Sequence, residues 1–260
     1  MISNLSDEVK DLILESSTIM PEKGLGDMLV ETKSKNSLVT EIDRKIEKRL
    51  VQGLSKIIPS SGFIAEEGTS TKKSDEYNWI IDPLDGTTNF IHGIPHYCIS
   101  IGLQKKEELI YGCIYEFNQK DFYMAEKGGG SSLNGEKIVC SQSTFLEDSL
   151  LATGFPYYDF KDIDKFLALI RSLMLQTRGL RRLGSAAFDL AYVASGKFDG
   201  FFEYGLHPWD VAAGVILVQE AGGMVTDFSG NENYLFGKQI VASNVHIQNE
   251  LLHIIERHFS

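Results

Sequence analysis

The sequence predicts an α/β fold of the mixed, α+β kind, and three observations support this class. The first fifty or so residues carry apolar stripes with helical spacing, residues 62–126 are mostly short β-rich runs, and the second half alternates between helix and strand patterns. With 260 residues and 43% apolar content, the chain can bury a substantial core. We expect one compact unit built from two closely packed halves, residues 1–142 and 143–260.

Two helices are predicted before residue 60. Val9, Leu12 and Ile13 give the i, i+3, i+4 spacing of one buried stripe, and a second stripe runs over 46–58. An antiparallel meander of three strands follows, at 97–103, 109–115 and 121–125. The three glycines at 128–130 lack the Lys-Ser or Lys-Thr pair of a phosphate-binding loop, so we interpret them as a turn. Asn134-Gly135 is typical of a hairpin tip.

The second half alternates between helices and strands. Helices are predicted near 163–175, over 185–195 and over 247–259, and strands over 198–204 and 240–242. The run 211–218 is apolar nearly all round, which indicates a helix buried inside the molecule.

The most informative segment is 79–90, in which an apolar run ends in two aspartates three residues apart. Proline at 83 cannot donate to a sheet ladder, so we expect the chain to leave the sheet at Asp82. The loop can then turn Asp82, the Leu84 carbonyl and Asp85 toward one point, as the oxygen ligands of a hard cation. These residues alone are equally well explained as a β-turn with Asp85 as a helix cap.

A Gly-Thr-Thr step follows that segment and can open a helix. The backbone N–H groups of Gly86 and Thr87 would then stabilise an anion such as phosphate. Upstream, Glu66-Glu67-Gly68 ends another short apolar run, so two neighbouring strands can deliver acids to the same edge. Taken alone, Glu66 and Glu67 are more typical of a solvated acidic loop. The combined pattern favours magnesium together with a phosphate ester.

Composition restricts the partners. The net charge of -11 and the lack of a basic stripe argue against nucleic acid as a ligand. An acidic protein repels an anionic substrate unless divalent cations invert the local field, so the charge favours a metal-dependent site. No apolar run reaches eighteen residues, and we expect neither export nor membrane insertion. The three cysteines lack metal-ligand spacing and are expected to be reduced thiols of a cytoplasmic protein.

Four motifs follow one another along the chain, and together they reach from about residue 33 to the Glu-Ala-Gly-Gly at 220–223. They are Leu38-Val39-Thr40-Glu41-Ile42-Asp43, Glu66-Glu67-Gly68, the segment 82–90, and His207-Pro208-Trp209-Asp210-Val211-Ala212-Ala213-Gly214. Through them the chain resembles the inositol monophosphatase family of magnesium-dependent, lithium-sensitive sugar phosphatases. The resemblance implies a layered α/β/α/β/α sandwich and a homodimer. It also implies hydrolysis of inositol 1-phosphate.

The resemblance also implies ligands and catalytic residues. Glu66, Asp82 and the Leu84 carbonyl would hold a first Mg²⁺, and Asp82, Asp85 and Asp210 a second, with two or three ions per site and Mn²⁺ as a possible substitute. Thr87 and Glu66 would orient and deprotonate the attacking water, and Asp43 would polarise Thr87. The substrate-binding residues would be Asp85, Gly86, Thr87, Ser185, Ala186, Glu203 and Asp210.

Each residue of the second half has a plainer alternative. Local pattern favours Asp210 as the N-cap of the helix that follows, a preference that the family motif reverses. Ser185 can cap its own helix, and Glu203 can be a surface acid at a strand end. Arg181 and Arg182 can bind an anion or pair with acids, and the sequence does not decide between these.

Isolated histidines are mostly structural, so we expect His207 to lie behind the site and assign no site role to His92 or His96. One departure from the family is Ser37, where many relatives carry aspartate; it weakens the expectation of a third ion and of a particular lithium response. Within the same fold, relatives prefer fructose 1,6-bisphosphate, histidinol phosphate, phosphoadenosine phosphate or NADP. A different alternative is an interaction protein of transcription complexes.

Overall fold

The computed structural model describes residues 4–21, 30–34, 37–156 and 160–259, without the side chains of 30–40. The helices are α1 (Leu5–Ser17), α2 (Glu41–Ile57), α3 (Thr87–Ile91), α4 (Ile163–Gln176), α5 (Ala186–Ala194), α6 (Pro208–Glu220) and α7 (Gln248–Phe259). The strands are β1 (Val30–Ser34), β2 (Ser37–Thr40), β3 (Gly62–Ala65), β4 (Tyr77–Asp85), β5 (Cys98–Lys105), β6 (Glu108–Glu116), β7 (Asp121–Glu126), β8 (Gly130–Leu133), β9 (Glu136–Ile138), β10 (Leu150–Thr153), β11 (Gly179–Arg181), β12 (Gly200–Tyr204), β13 (Gly223–Thr226) and β14 (Gln239–Asn244).

Two large sheets organise these elements. The first contains seven strands in the order β3-β4-β5-β6-β7-β8-β9, with β3 and β4 parallel and the other neighbours antiparallel. The predicted meander is therefore confirmed, and Asn134 and Gly135 take the positive φ values of a hairpin turn between β8 and β9. The second sheet has five strands in the order β11-β10-β12-β14-β13.

Helices cover both faces of each sheet. Helices α1 and α2 pack together on the outer face of the first sheet, α5 and α6 lie between the two sheets, and α4 and α7 pack on the outer face of the second. The predicted α/β class and the layered α/β/α/β/α sandwich are confirmed. The division at residue 142 stays a prediction.

Helix α6 is the central element. Its residues from Val211 to Val218 are buried, as the apolar run predicted, because the helix contacts strands of both sheets. Gly102 and Gly112, paired across β5 and β6, let it approach the first sheet closely. A Cβ atom at Gly112 would lie 2.7 Å from the Ala213 carbonyl oxygen, so a larger residue would force the helix away.

The prediction that the chain leaves the sheet at Asp82 is wrong. Strand β4 runs to Asp85, and the pairing with β5 shifts register between Asp82, opposite Ser100, and Asp85, opposite Cys98. Such a bulge leaves Pro83 without a required ladder hydrogen bond, so proline is tolerated inside the strand. Ser37 lies in β2, but its side chain is outside the described residues. Across the described ranges, none of the helices has the length and apolar character needed to cross a bilayer.

Candidate active site

A cavity of about 290 Å³ lies where β3 and β4 end and where α5 and α6 begin. All the predicted metal and substrate residues line it: Glu66, Asp82, Leu84, Asp85, Gly86, Thr87, Ser185, Ala186, Glu203 and Asp210. Asp43, on α2, is buried outside this lining. The structure thus brings together side chains that are far apart in the sequence.

The parallel pairing of β3 with β4 brings the first acids together. Ala65 pairs with Ile81, and the Glu66 N–H donates to the Ile81 carbonyl at 3.2 Å, so Glu66 lies beside Asp82. The Leu84 N–H donates to Asp82 Oδ1 at 2.9 Å, which fixes the carboxylate at the bulge. The two strands therefore deliver their acids to one edge of the sheet, as the sequence predicted.

Asp85 connects the two parts of the chain. Its Oδ2 accepts hydrogen bonds from Ser185 Oγ and from the Ala187 N–H, both at 2.7 Å. Ser185 is also the N-cap of α5, with Phe188 N–H donating to its Oγ at 3.4 Å. The predicted capping role of Ser185 and its place at the site therefore coexist.

Asp210 is not the N-cap residue of α6. The helix begins at Pro208 after His207, and Asp210 occupies its third position. From there Asp210 Oδ2 accepts the His207 N–H at 2.6 Å, as an acid in the first turn of a helix often does. This bond orients the carboxylate at the cavity wall.

The clustered acids repel one another in a desolvated environment. Burial, followed by the charges of Glu66, Asp85 and Asp210, raises the pKa of Asp82 well above its ordinary value. Burial also raises the pKa of Asp85 to about 6, although its hydrogen bonds to Ser185 and Ala187 oppose the shift. A bound cation would remove this repulsion, so the acids favour cation binding.

The donor set is chemically suited to magnesium, because it consists of carboxylates and a backbone carbonyl. Among the described residues, no group of three or more acids, histidines or cysteines has the arrangement of a formed metal site. Asp82, Asp85 and Asp210 each direct one carboxylate oxygen to a protein donor instead. The residues present therefore match an oxygen-bound cation site that is held in place by its protein neighbours.

The segment that follows Asp85 needs a glycine. Gly86 has a φ of 94°, and a Cβ atom there would lie 2.8 Å from the His96 carbonyl oxygen. Helix α3 then begins at Thr87, as predicted. Thr87 Oγ1 donates to the Leu84 carbonyl at 2.9 Å. The pairing of Thr87 with Asp43 stays a prediction.

Glu203 is no surface acid. It lies on β12 with 6% of its surface exposed, and burial raises the pKa of its carboxyl well above the ordinary value. Among the charges that act on it are those of Asp189, Asp210 and Arg182. Glu203 therefore faces the interior of the cavity, at some distance in the chain from the acids of the first sheet.

Sequence reasoning missed several residues that line the cavity. They are Phe155, Asp189, His207 and Trp209. His207 was predicted to lie behind the site, but it lines the cavity and stacks on Trp209, with ring centroids 4.7 Å apart. A signal for Asp189 existed, because it lies four residues after Ser185 and therefore on the same face of the predicted helix.

The remaining histidines and Arg181 lie outside the lining. His92 is exposed, and His96 is buried, with its Nε2 3.6 Å from Asp189 Oδ1. Arg181 is exposed and donates to the Leu180 carbonyl. Of the two arginines that the sequence left undecided, Arg182 is the one at the cavity.

Known proteins are similar to this chain in sequence and in fold. The profile of the Inositol monophosphatase family matches residues 9–259. The chain is 44% identical to the Nus factor SuhB of Pseudomonas aeruginosa, over 88% of this chain and 86% of that protein. It is 42% identical to the inositol-1-monophosphatase of Rhizobium meliloti, with the same coverage of 88% and 86%.

A solved structure agrees with these sequence matches. The Thermotoga maritima IMPase superposes with a TM-score of 0.83 at 37% identity, covering 97% of this chain and 94% of that one. The profile match spans nearly the whole chain, and the relatives match most of their own length. By sequence and by fold, the chain belongs to the inositol monophosphatase family.

Proposed function

We propose that the protein is a Mg²⁺-dependent phosphoric monoester hydrolase that converts myo-inositol 1-phosphate and water into myo-inositol and phosphate. The observation that supports this most is the cluster of buried and half-buried acids at one end of a cavity with Glu203 in its wall. The acids can hold cations beside a phosphate group. Glu203 can accept hydrogen bonds from the hydroxyl groups of a polyol.

In this proposal Glu66, Asp82 and the Leu84 carbonyl would hold one Mg²⁺, and Asp82, Asp85 and Asp210 a second, with Mn²⁺ as a substitute. Bound divalent cations would polarise the phosphoryl oxygens and lower the pKa of water. Glu66 is then the group that accepts a proton from the attacking water. Thr87 Oγ1 donates to the Leu84 carbonyl, which leaves its lone pairs to accept a hydrogen bond from that water.

The substrate end would recognise the alcohol. Ala186 and Ser185 begin α5, and Ser185 Oγ already donates to Asp85. We therefore assign Ser185 the role of holding Asp85, and Glu203 the role of contacting substrate hydroxyls. Gly86 and Thr87 remain the predicted contacts of the phosphate.

A panel of phosphate esters tests the proposal. Phosphate release would be measured with Mg²⁺ and with EDTA, using inositol 1-phosphate, fructose 1,6-bisphosphate, histidinol phosphate, phosphoadenosine phosphate and NADP. We expect Mg²⁺-dependent turnover that is fastest on inositol 1-phosphate. Faster turnover of another ester would reassign the substrate, and crystals soaked in Mn²⁺ without density among these acids would contradict the metal site.

A second candidate function has a specific observation behind it, because a relative at 44% identity is named a Nus factor. An interaction role in transcription complexes would use surfaces away from the cavity. Affinity capture with the full chain, followed by identification of a stoichiometric transcription protein, would support this role. Absence of activity on the ester panel alongside such a partner would make it the main function.

Three further properties belong to this proposal. We expect a homodimer, which light scattering would test, and a cytoplasmic location, which fractionation of the source cells would test. We also expect inhibition by lithium, measured as the LiCl concentration that halves the Mg²⁺-dependent turnover. A Ser37→Asp variant would show whether the departure at that position alters the lithium response.

A further inference from the structure

We propose that a second cavity, at the C-terminal end of α6, binds a small aliphatic amine that carries two or more ammonium groups. This second cavity has a volume of about 620 Å³, and it lies at the opposite end of α6 from the candidate active site. The inference goes beyond the proposed phosphatase function and does not depend on it.

Three parts of the chain form the walls of the second cavity. They are the end of β5 with the start of β6, the last turns of α6, and the segment 232–236 between β13 and β14. Leu109, Ile216 and Leu235 give these walls an apolar surface, and Phe236 adds an exposed aromatic ring. Cavities of this volume hold small organic molecules in many proteins.

Gln104 is the observation that indicates a ligand. It lies near the end of β5, lines the second cavity and has only 6% of its surface exposed. A Cβ atom at Gly102 would meet Ala212 of α6, so Gln104, two residues further along the strand, faces the same layer. Across the described part of the chain, the side-chain amide of Gln104 has no hydrogen-bond partner.

The neighbouring strands do not supply that partner. Asn78, opposite Gln104 on β4, donates to the Ser74 carbonyl at 2.6 Å and accepts the Ser74 N–H at 3.1 Å. Leu109, opposite Gln104 on β6, is apolar. A buried amide without a partner destabilises the protein, so the Gln104 side chain is available to a molecule that enters the cavity.

The charges around the second cavity favour a cation. Four glutamates line it against one lysine, and that lysine, Lys127, forms an ion pair with Glu108. Glu107 and Glu232 are exposed, and neither forms an ion pair or a side-chain hydrogen bond within the described residues. These two carboxylates can therefore bind positive groups.

The end of α6 adds to this preference. Carbonyl groups at the C-terminus of a helix carry partial negative charge, and α6 has no basic residue in its last turn. Glu220, its last residue, is held in place because its two carboxylate oxygens accept the N–H groups of Gly128 and Gly130 at 2.8 and 2.9 Å. The negative end of the helix is therefore a fixed part of the cavity wall.

Together these features favour an organic amine over a metal ion or an anion. One ammonium group can donate to the Gln104 amide oxygen, and a second can pair with the carboxylates of Glu107 and Glu232. The methylene groups between them would cover the apolar wall, and the face of the Phe236 ring attracts a cation. A metal ion would fill little of the 620 Å³ and leave the apolar wall uncovered.

Calorimetric titration of the full-length protein with spermidine tests the site, in the presence of Mg²⁺ to occupy the acids of the candidate active site. We expect saturable binding that is about tenfold weaker in Gln104→Leu, which nearly keeps the size of the side chain and removes the hydrogen-bond acceptor. Gln52→Leu, at an exposed position of α2, is the matched control. Without spermidine, Gln104→Leu should melt no lower than the wild type, because the amide loses no partner within the protein.

A second variant tests the charge. Glu107→Gln combined with Glu232→Gln should weaken spermidine binding about tenfold, and the remaining affinity should depend less on salt. The same change in net charge made on α7, by Glu250→Gln with Glu256→Gln, should leave the affinity unchanged. The neutral chain of 1,8-octanediol, which is similar in length, should bind far more weakly than spermidine.

Three outcomes would overturn the inference. They are the absence of measurable spermidine binding, an affinity that either folded variant leaves unchanged, and equal affinity for butylamine, which carries one ammonium group as a lysine side chain of a protein partner does. A wild type that binds spermidine but hydrolyses no phosphate ester would refute the proposed function and leave this inference standing.

Discussion

The two walls of the cavity are built in different ways. One wall comes from a short stretch of chain, in which Glu66, Asp82 and Asp85 are positioned by strand pairing, a bulge and the turn at Gly86. The other comes from helix starts and a strand of the second half, and supplies Ser185 and Glu203. The first wall concentrates negative charge for cations, whereas Glu203 in the second wall would contact the alcohol. A change in the first wall should therefore affect every substrate, as should a change at Asp210 or Ser185, whereas a change at Glu203 should affect only some of them.

The largest effect is expected at Asp82. The Asp82→Asn variant removes the ligand that both cations would share, so turnover of every ester should fall on the order of 10³-fold. Because burial raises the pKa of Asp82, the neutral side chain should not lower the melting temperature, which serves as the folding control. Wild-type turnover in this variant would refute the assignment of the first wall.

The next effect concerns pH and metal. Burial raises the pKa of Asp85 to about 6, while an aspartate in the unfolded chain titrates near 3.9. At a pH between these two pKa values, Asp85 is still protonated in the folded state but is ionised in the unfolded state. The free energy of unfolding therefore falls as pH rises, by up to about 1.4 kcal/mol per pH unit for each such group.

Metal-free protein should accordingly melt at a higher temperature near pH 5.5 than near pH 7.5. Mg²⁺ should raise the melting temperature more at the higher pH, where the acids are ionised and able to bind it. Scanning calorimetry with EDTA and with Mg²⁺ measures both trends. If acidification lowered the melting temperature of the metal-free protein across this range, the repulsion inferred for the first wall would be wrong.

The smallest effect is expected from the second wall. Glu203→Gln keeps the shape of the side chain but weakens its hydrogen bonds to substrate hydroxyls, so kcat/KM for inositol 1-phosphate should fall roughly tenfold. p-Nitrophenyl phosphate, which lacks these hydroxyls, should be hydrolysed at nearly the wild-type rate. Glu250→Gln, at an exposed position of α7, is the matched control. An equal fall in activity on both esters would show that Glu203 does not act through the substrate hydroxyl groups, and that the two walls do not differ in function in this way.

The same difference explains how much the sequence could predict. The acids of the first wall follow from local patterns, because two short strands that end in carboxylates at neighbouring positions bring those carboxylates together. The buried helix α6 was also predictable, since its apolar run has no polar face. The bulge at Pro83 was not, because strand pairing beyond the proline depends on β5.

The second wall depends on how distant elements pack. Asp189, on α5, had a local signal in its spacing from Ser185, whereas Arg182 lies in the loop before α5 and reaches the cavity through the packing of distant elements. His207 was misplaced for the same reason, since its stacking on Trp209 is set by the start of α6. Glu203 resembled a surface acid because a single strand does not reveal what covers its end.

Helix α6 also bears on how the protein unfolds. Helix α6, which begins at the cavity, packs in the hydrophobic core against both sheets, so unfolding of one sheet removes apolar contacts from the other. The two sheets should therefore unfold together in one cooperative thermal transition. A cation captured at Asp210 should slow amide hydrogen exchange in β13 and β14 as well, although these strands contribute no side chain to the cavity lining described above.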